Sequence, residues 1–66
     1  MANRVTGSSV RILSTERPEL HGQLATIVAL RPVFGSGVFE YKLTLKNKDI
    51  GWFSAEDVNI VKYAKL

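Results

Sequence analysis

Few side chains in this 66-residue chain are of the kinds that make or break covalent bonds. There is one His, His21 in LHGQ, and no Cys. A lone imidazole beside a Gly, with no thiol and no orienting partner at fixed spacing, reads as a solvated turn residue and not as the base of a nucleophilic triad. Glu56 and Asp57 are adjacent, which suits a solvated turn. A metal centre needs several His, Cys or carboxylate groups at ligand spacing. The FGSG stretch (34–37) lacks the Lys and the following helix of a phosphate loop. The expectation is a protein that is not an enzyme and carries no metal and no cofactor.

What remains is non-covalent chemistry. GWFSAEDVNI (51–60) holds the only Trp, Trp52, next to Phe53. Neighbours on a strand point to opposite faces, so only one of the two rings can enter a core. Two readings of Trp52 stand. It is a ring offered to a partner, since Trp joins a large apolar surface to one N–H donor and is enriched at binding hot spots; or it covers the rim of the core. RPVFGSG (31–37) raises the same choice. Val33 and Phe34 beside Arg31 form a contact knob for a partner, or Phe34 folds back as a lid. Trp52, Phe34, Val33 and Arg31 are therefore the candidate partner-binding residues.

The chain has nine Lys and Arg against six Asp and Glu, a formal charge of +3. That favours acidic partners without requiring them. Arg11, Lys42, Lys46, Lys48 and Lys62 are the candidate basic surface. Strands one and five of the expected fold are neighbours, which would bring Arg11 near Lys62, with Lys42 and Lys46 on another part of the surface. Binding to nucleic acid needs cations together with exposed aromatics. The other reading is that outward Lys residues serve solubility and discourage edge pairing.

The elements that must position these residues are short β runs separated by turns. VRIL (10–13) reads as the first strand. STERPELHG follows as a loop with Pro18 and a turn at Gly22. QLATIVAL (23–30) is the second strand, and Pro32, Gly35 and Gly37 break any strand after it. In VFEYKLTLK, Phe39, Tyr41, Leu43 and Leu45 alternate with Glu40, Lys42, Thr44 and Lys46, a strand with one buried face. NKD (47–49) reads as a tight hairpin turn, and IGWF (50–53) as strand four. SAED (54–57) reads as one helical turn, capped by Ser54 and answered by Asp57. VNIV (58–61) is strand five. The expected interior is Val10, Ile12, Ala25, Ile27, Tyr41, Leu43, Phe53, Val58 and Ile60.

This order resembles that of the SH3-like small β-barrel superfamily. GWFSAEDVNI is similar to the end of an SH3 domain, where a Gly, two bulky residues, a short 3-10 turn and an apolar residue follow in turn. HGQLATIVAL resembles the KOW-type motif, and GSSVRIL with WFSAEDVNIV resembles the family of a small photosystem I subunit. From that family the chain departs in its middle, with a longer loop after strand two, a shorter turn after strand three, and YKLTLKN in place of a basic strand. The resemblance implies an all-β, five-stranded SH3-like barrel with one short 3-10 turn before the last strand. It also implies that Phe53 is core and Trp52 half-exposed. The SH3 residues that grip Pro-rich ligands are not kept, because SAED replaces a Pro and a Tyr. The V-Q-I-Y run of the plasmid-borne dihydrofolate reductase, an enzyme on a barrel of this kind, is also absent.

The expected organisation is a flexible N-terminus over 1–8, the barrel over 9–62 and a tail over 63–66. So short a chain buries only ~60% of its unfolded surface, so each large apolar residue matters. No apolar run approaches the ~18 residues of a membrane span, and MANRVTGSS lacks the apolar core of a signal peptide. The expectation is a soluble, intracellular, cytoplasmic protein. Its expected role is a non-catalytic docking module, an accessory subunit whose partner is a protein in a larger assembly. The alternative is a KOW-like nucleic-acid or ribonucleoprotein binder, and a third reading is a self-associating subunit.

Overall fold

The computed structural model describes residues 5–35 and 37–64. They form an all-β protein. The strands are β1 (Ser9–Ile12), β2 (Leu24–Pro32), β3 (Phe39–Leu45), β4 (Lys48–Ser54) and β5 (Val58–Lys62), in one antiparallel sheet of order β4-β3-β2-β1-β5. Among the described residues no helix is long and apolar enough to cross a membrane.

The period-two pattern of β3 sets the inside of the sheet. Leu43 is fully buried, and Tyr41 and Leu45 pack partly buried beside it. Val10 and Ile12 of β1, Ala25 and Ile27 of β2, Phe53 of β4 and Val58 of β5 complete the core. Ile60 packs against this cluster without being fully buried. Leu20 is a core member that the sequence reading assigned to a loop. Pro18 starts a 3-10 turn, Pro18–Leu20, and Leu20 plugs the core from it. Among the described residues there are therefore two 3-10 turns where one was expected.

Each sheet interface but one contains a register shift. Val28 is the extra residue between Ile27 and Ala29 opposite β3, Ile50 between Gly51 and Asp49 opposite β3, and Val61 between Ile60 and Lys62 opposite β1. A bulge bends its strand and increases the local twist. At the second of these, Gly51 sits at φ +96°, and its N–H donates to Asp49 Oδ1 at 2.8 Å.

Two boundaries correct the sequence reading. The β3–β4 turn is Lys46–Asn47, one residue earlier than NKD, with both residues at positive φ (52° and 67°). This is the geometry whose twist matches a two-residue hairpin. The second strand also runs through Pro32, which was expected to end it. The Val33 N–H donates to Val38 O at 2.8 Å, which makes Val33 and Val38 a hydrogen-bonded pair. Pro32, paired with Phe39, is then at a non-hydrogen-bonded position, so β3 asks no N–H of it.

At the other end of the fold, Val5 packs on the core and Ser8 is fully buried, both inside the segment read as a flexible lead. The Ala64 N–H donates to Ser8 Oγ at 3.0 Å, fastening the start of the tail to it.

Candidate binding surfaces

β4 carries the contrast on which the site depends. Phe53 is 5% exposed and lies opposite Tyr41 in the core; Trp52, its neighbour, is 36% exposed and lies opposite Lys42 on the outer face. Alternation along a strand produces this division. Ser54 then ends the strand, its Oγ accepting from the Glu56 N–H at 3.2 Å and holding the 3-10 turn Ala55–Asp57. The cap found is this bond, in place of the reciprocal Ser54–Asp57 arrangement that was expected.

The Trp52 ring is not bare. The Arg31 guanidinium stacks over it at 4.1 Å from the ring centroid and donates through Nε to Glu40 Oε1 at 2.9 Å. β3 lies between β2 and β4, with Arg31 opposite Glu40 and Lys42 opposite Trp52, so Arg31 reaches across one strand to the ring. At a half-exposed site such stacking contributes roughly 0.5–1 kcal/mol and holds the indole in one orientation.

A cleft of about 390 Å³ opens beside Trp52, lined by Ser14, Glu16, Arg17, Glu40, Phe53, Ser54 and Asp57 as well. Its far wall is the β1–β2 loop, tied back at three points. The Leu13 N–H donates to Asp57 O at 2.7 Å, Arg17 reaches Ile50 O at 3.4 Å, and the Arg17 guanidinium lies 5.8 Å from the centre of the Phe53 ring. Ser14, buried, accepts from the Glu16 N–H at 3.3 Å. Arg17 also pairs with Glu19 at 3.1 Å. The carboxyl of Glu19 lies below its ordinary value, chiefly through its own backbone N–H and then through Arg17.

Val33 and Phe34 are placed elsewhere. With Pro32, Gly35, Gly37, Val38 and Phe39 they line an apolar hollow of about 380 Å³ at the end of the β2–β3 hairpin. Phe34 is fully exposed there and does not fold back as a lid. The four expected partner-binding residues thus divide into two pairs: Trp52 with Arg31, and Phe34 with Val33. Tyr41, expected in the interior, is partly buried and packs against the core.

The basic residues divide as well. Lys42 is matched by Asp49 at 3.1 Å. The Asp49 carboxyl is held below its ordinary value by the Gly51 N–H first and by Lys42 second. Lys46 lies in the β3–β4 turn and Lys48 opens β4, both exposed. Arg11 lies opposite Asn59 and donates to Gly22 O at 3.0 Å, while Lys62 lies opposite Ser9, so β1 and β5 do bring these two cations to one face. His21 is exposed, and among the described residues no three His, Asp or Glu side chains gather as a metal would require.

Sequence reasoning missed the cleft wall Ser14–Arg17 and the exposed ring of Tyr63. The loop has no periodicity to expose its fold-back, but Arg17 one residue before Pro18 was a readable anchor. Compared with protein-family models, with curated proteins and with solved structures, the chain matches none.

Proposed function

We propose that this chain is a non-catalytic docking module, an SH3-like barrel that serves as an accessory subunit of a larger protein assembly. The strand order supports the barrel reading, as do the three register shifts, since bulges bend strands and increase their twist. One observation carries the function: Trp52 is half-exposed on β4, braced by Arg31, and set beside a preformed cleft. A ring already held in place loses less entropy when a partner covers it. Arg31 and Trp52 form the anchor, and the β1–β2 loop supplies the polar rim.

The test begins with a pull-down from the native source, followed by affinity measurements on Trp52→Ala and Arg31→Ala. Trp52→Ala should weaken binding of the captured partner by ~2 kcal/mol or more, the hot-spot scale, while leaving the melting temperature near that of the parent. Binding centred on this anchor should depend weakly on salt. If Trp52→Ala melts the domain as badly as Phe53→Ala, the ring belongs to the core rim and this reading fails.

A further inference from the structure

The pairing of β1 with β5 builds a second surface, remote from Trp52 in the ladder. Ser9 and Arg11 alternate with the buried Ser8, Val10 and Ile12, so they face solvent. Their cross-strand partners, Lys62 and Asn59, share that face. Just past Lys62, Tyr63 is 64% exposed. A hollow of about 340 Å³ lies here, lined by Gly7, Ser9, Lys62, Tyr63 and Ala64.

The hollow is held by the fold. Ala64 is fastened to the buried Ser8 hydroxyl, and the Gly7 N–H donates to Ile27 O at 2.7 Å. Gly7 sits at φ +93°, and a Cβ there would come within 3.3 Å of Ala64 Cβ, so a side chain at this position would be strained and would crowd Ala64. Among the described residues no carboxylate lines the hollow. Glu16, Glu40 and Asp57 line the Trp52 cleft instead, and Asp49 and Glu19 are paired with Lys42 and Arg17. Among the described residues neither Lys62 nor Arg11 has a carboxylate partner within ion-pair distance.

A cation, a hydroxyl and an exposed phenol ring around one hollow, with a guanidinium further along the strand, fit a phosphodiester backbone with an unpaired base. The phosphates meet Lys62, Arg11 and the Ser9 hydroxyl, and the base stacks on Tyr63. Stacking requires a base free of its complement, which selects a single strand over a duplex. We propose that the outer face of β1 and β5 binds single-stranded nucleic acid, through a site separate from the Trp52 anchor and independent of the docking reading.

The probe is a fluorescently labelled single-stranded RNA of about 12 nucleotides, within the span of a small β-barrel site. Its binding to the full chain is followed by anisotropy across a salt series. Tyr63→Ala should weaken binding about tenfold with the salt slope unchanged, and Tyr63→Phe should restore it. Lys62→Gln should lower the salt slope by about one, as should Arg11→Gln, each marking one lost phosphate contact. Trp52→Ala should leave RNA affinity unchanged, which separates this site from the docking surface. Thermal melts establish that each variant is folded. The inference is overturned if the parent does not bind RNA at low salt. It is also overturned if folded Tyr63→Ala binds as the parent does, if a duplex of equal length binds as tightly as the single strand, or if Trp52→Ala abolishes binding.

Discussion

The two hairpins that share β3 make an informative contrast. The β3–β4 hairpin closes in two residues, Lys46 and Asn47, and puts Leu43 and Phe53 into the core. The β2–β3 hairpin runs on past the core. Phe39 keeps the phase of Tyr41, Leu43 and Leu45, yet it is 45% exposed, and Phe34 beyond it is fully exposed. The same alternation thus has two outcomes. Over the middle of the sheet, Leu43 shares one core with Val10, Ile12, Ile27, Phe53 and Leu20, and the pattern becomes burial. At the hairpin end Phe39 and Phe34 stay exposed and line an open hollow.

The largest effect should come from breaking the buried side. Leu43→Ala should cost ~2–5 kcal/mol, since it removes a fully buried side chain from a core too small to refill the space. Urea denaturation measures this, and a loss under ~1 kcal/mol would place Leu43 outside the core. The open side should respond far less. Phe34→Ser should change stability by no more than ~0.5 kcal/mol, as for other exposed positions away from special features. A larger loss by the same urea series would mean that the ring packs in solution and that the two hairpins are alike.

The smallest effect concerns the turn end of the closed hairpin. Asp49 has its pKa lowered in the fold by the Gly51 N–H and Lys42. A carboxylate with a depressed folded value contributes stability that is fully present above its unfolded value of about 3.9 and lost as pH falls through the lower folded value. Asp49→Asn should therefore flatten the acid limb of the stability profile in that window and leave its slope near neutrality unchanged. Thermal melts of both proteins from acid to neutral pH measure this, and an unaltered acid limb would remove Asp49 from the account.

What the sequence made legible follows from the same contrast. All five strands were readable, as were the inward phase of Leu43 and the 3-10 turn after Ser54, because each depends on neighbours in the chain; alternation put Trp52 and Phe53 on opposite faces, and only the resemblance to an SH3 domain chose Phe53 as the inner one. The turn at Lys46–Asn47 was misplaced by one residue. Asn tolerates positive φ and signals a turn, but nothing marks Lys46 as adopting it. Pro32 was misread because the cost of a missing N–H depends on which side of the strand faces a partner. Leu20 was hidden in a loop whose single turn has no period. The stacking of Arg31 on Trp52 follows from the order of β2, β3 and β4, which brings together residues far apart in the chain.

The placement of β5 beside β1 has a consequence for synthesis. The meander from β2 to β4 pairs each strand with the one made just after it, so its ladders can close as the chain emerges. Of these five strands β1 is made before the others, and the one that fills its outer edge, β5, is made after them. Until β5 emerges, then, β1 waits with one edge open, and Val10 and Ile12 lack the cover of Val58 and Ile60. The final cooperative step must await β5, because residues that seal the core are encoded only after the whole β2–β4 meander.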